Sequence, residues 1–198
     1  MNGVTGSVRV TVRPQADGWS QAGDDALRRA AALGDSDAFA AVIERHGPAM
    51  FRYARRMLND HGDAEEVVQD AFVAAWKALP DFRGDSKLRT WLFTLTARKA
   101  IDLLRKKRPT PVADETLTAL PAGGSDPVEP AVRTELLEAL DAALAELPDR
   151  QRAVWLLREV EEMSYLEISE VLATTPTVVR GQLARARVAL QEKLEDWR

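Results

Sequence analysis

Between Asp63 and Leu79 the apolar residues fall at Ala64, Val67, Val68, Ala71, Phe72, Ala75, Trp76 and Leu79, one face of a 3.6-residue period. Glu65, Glu66, Gln69, Asp70 and Lys77 lie off that stripe. The D-x-x-E spacing of Asp63 and Glu66 predicts a capping-box start. Helical periodicity extends over the whole stretch from Asp24 to about Arg108, with breaks expected at Gly34, Gly47-Pro48, His61-Gly62 and the Pro80–Asp85 loop. Residues 1–23 carry Gly, Pro, Ser and a short VRVTV alternation without a sustained apolar period, the pattern of a mobile N-terminal extension.

Residues 109–131 hold five prolines and two glycines, with four acidic residues and no basic one, so 109–132 is expected to be a linker. Beyond it, apolar spacing resumes at Leu136, Leu137, Leu140, Leu144 and Leu147, stops at Pro148, and returns through Val154, Leu157 and Val160. Ser164 and Glu167 form a second capping box, which predicts a short helix through Leu172. Thr175 then precedes Pro176, the pairing of N-cap and first helical position, and Val179, Leu183, Ala186, Leu190 and Leu194 define a longer helix. A short helix, a tight connection and a longer helix make a helix-turn-helix candidate. The expected fold is all-α: two small helical domains, 24–108 and 133–198, on a flexible tether.

Composition narrows the chemistry. Zero cysteines exclude disulfides and thiolate sites, and two histidines among 198 residues leave little scope for imidazole chemistry. No apolar run approaches the roughly 20 residues of a membrane span, and the N-terminus lacks a signal-peptide pattern, so a cytoplasmic location without membrane insertion is expected. No glycine-rich phosphate motif and no catalytic constellation is present, so neither a cofactor nor a metal is expected and the chain does not read as an enzyme.

Charge is segregated along the chain. The chain has a net charge of -4, yet residues 83–108 place nine Lys or Arg against only Asp85 and Asp102. A basic island in an acidic body points to nucleic-acid contact that something else gates. Trp91 sits inside the island, and an aromatic ring beside cations suits stacking on unpaired bases while Lys and Arg hold phosphates. Leu92 and Leu95 read as ordinary core. In the last helix Arg180, Arg185 and Arg187 occur with no acid between Pro176 and Leu190, and Gly181 and Ala184 would allow close approach to base edges. A solvated helix face is the plain alternative, although such faces usually mix signs.

The segments DAEEVVQDAFVAAWKAL, FRGDSKLRTWLFTLTARKAIDLLRKKR, LPDRQRAVWLLREVEEMSYLEISEVL and VVRGQLARARVAL resemble the bacterial extracytoplasmic-function (ECF) group of RNA polymerase sigma factors. That resemblance implies a promoter-specificity subunit whose first domain binds the clamp helices of core RNA polymerase and melts the minus-ten element of promoter DNA. The second domain would read the minus-thirty-five element as duplex. By position, Glu65, Glu66, Gln69 and Asp70 would bind core polymerase. Phe82, Arg83, Gly84, Asp85, Ser86 and Lys87 would capture a flipped non-template base, and Arg89, Trp91, Arg98 and Lys99 would line the path of the strand. Arg180, Gly181, Ala184 and Arg185 would face the minus-thirty-five bases. The linker would pass through polymerase near its active centre, and an anti-sigma factor would restrain the protein. Two other readings fit parts of the pattern: a dimeric helix-turn-helix regulator of closed duplex, and a nucleic-acid-processing enzyme. The first leaves the aromatic-basic segment without a task; the second needs a catalytic cluster that the sequence does not supply.

Overall fold

The computed structural model describes residues 18–107 and 135–195; the 109–132 linker and most of the proposed N-terminal extension lie outside them. Among the described residues every regular element is helical. Four helices form the N-terminal bundle: α1 (Asp24–Ala32), α2 (Ser36–Leu58), α3 (His61–Ala78) and α4 (Leu88–Lys107). Four more form the C-terminal bundle: α5 (Glu135–Ala145), α6 (Asp149–Trp155), α7 (Tyr165–Val171) and α8 (Pro176–Lys193).

Two expected breaks are absent. Helix α2 runs through Gly47 and Pro48 without interruption. Proline removes one backbone donor and costs roughly 3 kcal/mol inside a helix. Here the buried face on either side of it, Ala38, Phe39, Ala41 and Val42 before and Met50, Tyr53, Ala54 and Met57 after, outweighs that cost. His61 and Gly62 belong to the first turn of α3, not to a loop. Its N-cap is Asp60 and not Asp63, because the Asp60 carboxylate accepts the Asp63 backbone N–H at 2.8 Å. The real boundary is Asn59, which closes α2 in the left-handed conformation at φ 54°. Gly34 does break the chain, at φ 91°.

The apolar stripe of α3 is buried at Ala64, Val67, Ala71, Phe72 and Ala75, followed by Leu79 in a short 3-10 turn over Leu79–Asp81. Trp76 stays partly exposed and packs on Phe39, with ring centroids 4.9 Å apart. Leu92 and Phe93 of α4 are fully buried. Thr94 and Thr96 turn their hydroxyls back on the carbonyls of Thr90 and Leu92, each at 2.9 Å, so neither is directed outward. The folded body reaches ahead of α1, where Trp19 and Ala22 pack on the core. His46 is buried against Asp24, its Nε2 3.2 Å from the carboxylate. Burial lowers its pKa below the ordinary value, although Asp24 opposes the shift.

In the C-terminal bundle both predicted caps form. Ser164 and Glu167 make a reciprocal capping box, and Thr175 Oγ1 accepts the Val178 N–H at the start of α8. The helix begun by α6 widens into a π-helical turn over Leu156–Val160 and ends on Glu161. Arg152 joins the two bundles. Its buried guanidinium donates to Met57 O at 2.7 Å, near the end of α2, to Ala145 O at the end of α5, and to Leu147 O just beyond it at 3.2 Å. One cation thereby satisfies carbonyls at two helix C-termini, where the helix dipoles favour positive charge.

Candidate nucleic-acid interface

The loop between the 3-10 turn and α4 turns sharply at Gly84, which has φ 81°, a conformation glycine adopts at little cost. Phe82 folds back so that its ring stacks nearly parallel on Trp91, 4.5 Å between centroids and 11° between planes. Together with Ala78, Asp81, Arg83 and Asp85 these rings line a wide, open cleft. Arg83, Gly84 and Asp85 are exposed at its rim. Proximity in sequence suffices to place Phe82 to Asp85 there; the first turn of α4 adds Trp91.

Two further candidates are held elsewhere. Lys87 Nζ reaches Glu167 of α7 at 2.9 Å, and Arg89 Nη2 reaches Glu161 at 2.8 Å. Arg89 also lies over the Phe93 ring, 5.0 Å from its centroid. Glu161 is buried to 2% side-chain exposure and has Arg52 as a second, more distant cation at 3.8 Å. The carboxyl of Glu167 is lowered to about 2, chiefly by the hydrogen bond from Lys87 and then by those from Ser164. Sequence spacing marks Glu167 only as a cap and does not mark Glu161 at all, because both partners lie more than 70 residues away. Charge alternation within one helix cannot reveal such pairs.

Along α4, Arg98 is exposed and Lys99 pairs with Asp70 of α3 at 3.0 Å. Two residues expected on different surfaces, one for DNA and one for polymerase, are thus neighbours. Glu65, Glu66 and Gln69 are exposed on α3, with Glu65 3.3 Å from His61. The basic end of α4 is not a free cap: Lys107 binds Asp63, and Arg105 lies 3.5 Å from Asp102.

On α8, Val179, Leu183, Ala186 and Leu190 face the core, while Arg180, Ala184 and Arg185 are exposed and Gly181 is half-buried. Arg180 lies 5.8 Å from the centroid of Tyr165. Arg187 is drawn away by Glu159 at 2.6 Å. The exposed row therefore has two cations separated by small residues, and nothing crowds Gly181: an added Cβ would meet only the Arg185 guanidinium, at 3.9 Å. Among the described residues no cluster of metal-binding side chains occurs and no helix is long and apolar enough to cross a membrane.

The comparisons with known proteins follow the same division of the chain. The Sigma-70 region 2 family matches residues 42–110, and the Sigma-70 region 4 family matches residues 137–190. The chain is 32% identical over 172 residues to the ECF RNA polymerase sigma factor SigW of Bacillus subtilis, covering 82% of this chain and 92% of that protein. It is 36% identical over 180 residues to the RNA polymerase sigma factor CnrH of Cupriavidus metallidurans, covering 87% and 94% respectively. The structure of CnrH in complex with the cytosolic domain of CnrY superimposes with a TM-score of 0.68 at 33% identity, over 87% of this chain and 97% of that one. A sigma factor RpoE from Bartonella quintana, solved with the anti-sigma factor NepR, shares the fold with a TM-score of 0.61 at 24% identity, over 79% and 96%. On these matches the chain belongs to the ECF group of RNA polymerase sigma factors.

Proposed function

We propose that this sigma factor directs core RNA polymerase to its promoters through three surfaces. The exposed acidic row of α3, Glu65, Glu66, Gln69 and Asp70, docks on the basic partner surface of the polymerase clamp helices. The cleft at Phe82–Lys87 receives a non-template base of the minus-ten element after it leaves the stack. Arg89, Trp91, Arg98 and Lys99 then guide the separated strand, while Arg180, Gly181, Ala184 and Arg185 of α8 meet the minus-thirty-five duplex.

The observation that carries this reading is the Phe82–Trp91 stack forming a wall of an open cleft rimmed by Arg83. A flat aromatic wall offers an extruded base the stacking it loses from the duplex, worth about 1–3 kcal/mol per base. Arg83 offers a phosphate one cation at a rim that it shares with Asp85. Domain 24–108 accordingly lends binding energy to strand separation, domain 133–198 fixes register, and polymerase performs the chemistry. The protein acts in the cytoplasm as a non-catalytic subunit.

An anti-sigma factor is the proposed restraint. Two structurally similar proteins were solved in complexes, CnrH with the cytosolic domain of CnrY and the sigma factor RpoE with the anti-sigma factor NepR. The closed contact between the bundles supports the same idea, since Lys87 and Arg89 must exchange Glu167 and Glu161 for DNA phosphates before they can act.

Permanganate reactivity of minus-ten thymines in the reconstituted holoenzyme tests the assignment. Trp91→Ala is expected to abolish reactivity while the minus-thirty-five footprint persists, and Arg180→Ala with Arg185→Ala is expected to lose the footprint. Unchanged melting by Trp91→Ala would remove the cleft from the mechanism.

A further inference from the structure

We propose that Arg28, on α1 and 54 residues from the loop in sequence, is a positioning residue that presets the cleft for base capture. The proposal rests on the reading of that cleft given above. Three contacts converge on this one side chain. Arg28 Nη1 donates to the Phe82 carbonyl at 3.3 Å. Its guanidinium carbon lies 5.9 Å from the centroid of the Phe82 ring. Gly84 passes so close that a Cβ there would stand 3.5 Å from Arg28 Cζ and 3.6 Å from Nε and Nη2.

Arg28 does not line the cleft, and its side chain is only 18% exposed. It therefore acts from behind the loop and not as a phosphate contact. Through it, α1 holds Phe82, and Phe82 holds the ring of Trp91 in a stack. A loop turning on a left-handed glycine has many conformations available when unsupported. Fixing it before DNA arrives removes an ordering cost from the capture step, the usual benefit of preorganisation. A planar guanidinium can donate to a carbonyl while its carbon stays near an aromatic ring; a lysine ammonium has no such fork.

The consequence is specific. Loss of Arg28 should weaken recognition of the captured base and leave the sequence-independent attraction of the strand in place. The test uses holoenzyme assembled from the full chain and core polymerase, with non-template oligonucleotides spanning the minus-ten element of a promoter mapped from transcript starts. Each base is replaced in turn by an abasic site. Wild-type holoenzyme should lose about tenfold in affinity at the captured position. Arg28→Ala should bind the abasic strand as wild type does, yet prefer the intact strand by no more than about twofold. Arg28→Lys, which keeps the charge and serves if the alanine variant fails to fold, should show the same loss of preference.

Equal weakening of intact and abasic strands by Arg28→Lys would reduce Arg28 to a general structural or electrostatic role and overturn the proposal. So would an intact preference in either variant. A wild-type holoenzyme indifferent to every abasic position would instead overturn base capture itself, and the role of Arg28 with it.

Discussion

Arg89 of α4 donates to Glu161 at 2.8 Å across the seam between the two helical bundles, placing a strand-binding candidate on a carboxylate that is only 2% exposed. The geometry makes the two partners unequal. Removing Glu161 leaves Arg89 and Arg52 at 34% and 53% side-chain exposure, able to meet water. Removing Arg89 leaves the buried carboxylate with Arg52 alone, at 3.8 Å.

Arg89→Ala is accordingly expected to destabilise the closed arrangement by about 3 kcal/mol, the cost of removing the nearer partner of a buried carboxylate. Glu161→Gln should loosen it less. A donor–acceptor pair with one dye on each bundle should report a larger separation in the order wild type, Glu161→Gln, Arg89→Ala. Equal separations in all three would show that the pair does not hold the seam.

The carboxyl of Glu167 falls to about 2 in the folded protein against an ordinary 4.5, mainly through Lys87. A depressed carboxyl stabilises the fold above its unfolded pKa and loses that contribution as pH falls through the folded value. The Lys87–Glu167 contact and the α7 cap should therefore be intact at pH 5 and weaken progressively between about pH 4.5 and 2. Inter-bundle energy transfer measured along an acid titration checks this, with Glu167→Gln expected to lose the part of the transition due to this group.

Much of the fold was legible in the sequence because its signals were local. Four-residue spacings predict both capping boxes; Ser164–Glu167 forms, whereas the cap of α3 sits at Asp60, three residues before Asp63. Gly47-Pro48 misled because proline's local penalty is visible in a sequence and the buried face that overrides it is not. The candidate loop was legible for the same reason as the caps, since Phe82 to Trp91 are near neighbours. Arg28, Glu161 and the pairing of Asp70 with Lys99 depend on contacts between distant segments, which no period or spacing encodes.

Ala173 lies in the helix-turn-helix connection between α7 and α8. Ala173 adopts φ 47°, the left-handed region that strains a residue bearing a Cβ. Ala173→Gly is expected to stabilise the protein by about 1 kcal/mol. Chemical denaturation should show the midpoint rising without a change in slope.

Gly181 makes the opposite case. Its φ is not positive and an added methyl meets nothing nearer than 3.9 Å, so Gly181→Ala should stabilise α8 by about 1 kcal/mol. If the glycine serves close approach to the minus-thirty-five bases, the same variant should lose promoter affinity while gaining stability. Thermal unfolding and a duplex footprint, measured together, separate the two effects.

Transcription in vitro on genomic DNA of the source bacterium shows whether this chain confers promoter choice on core RNA polymerase. Core polymerase alone and core polymerase with the purified chain are compared by sequencing transcript 5′ ends. A promoter-specificity subunit yields a small set of new starts, each preceded by the same pair of minus-ten and minus-thirty-five sequences, with the set lost when Trp91 and Arg185 are both replaced by alanine. No new defined starts in the presence of the chain would contradict that role.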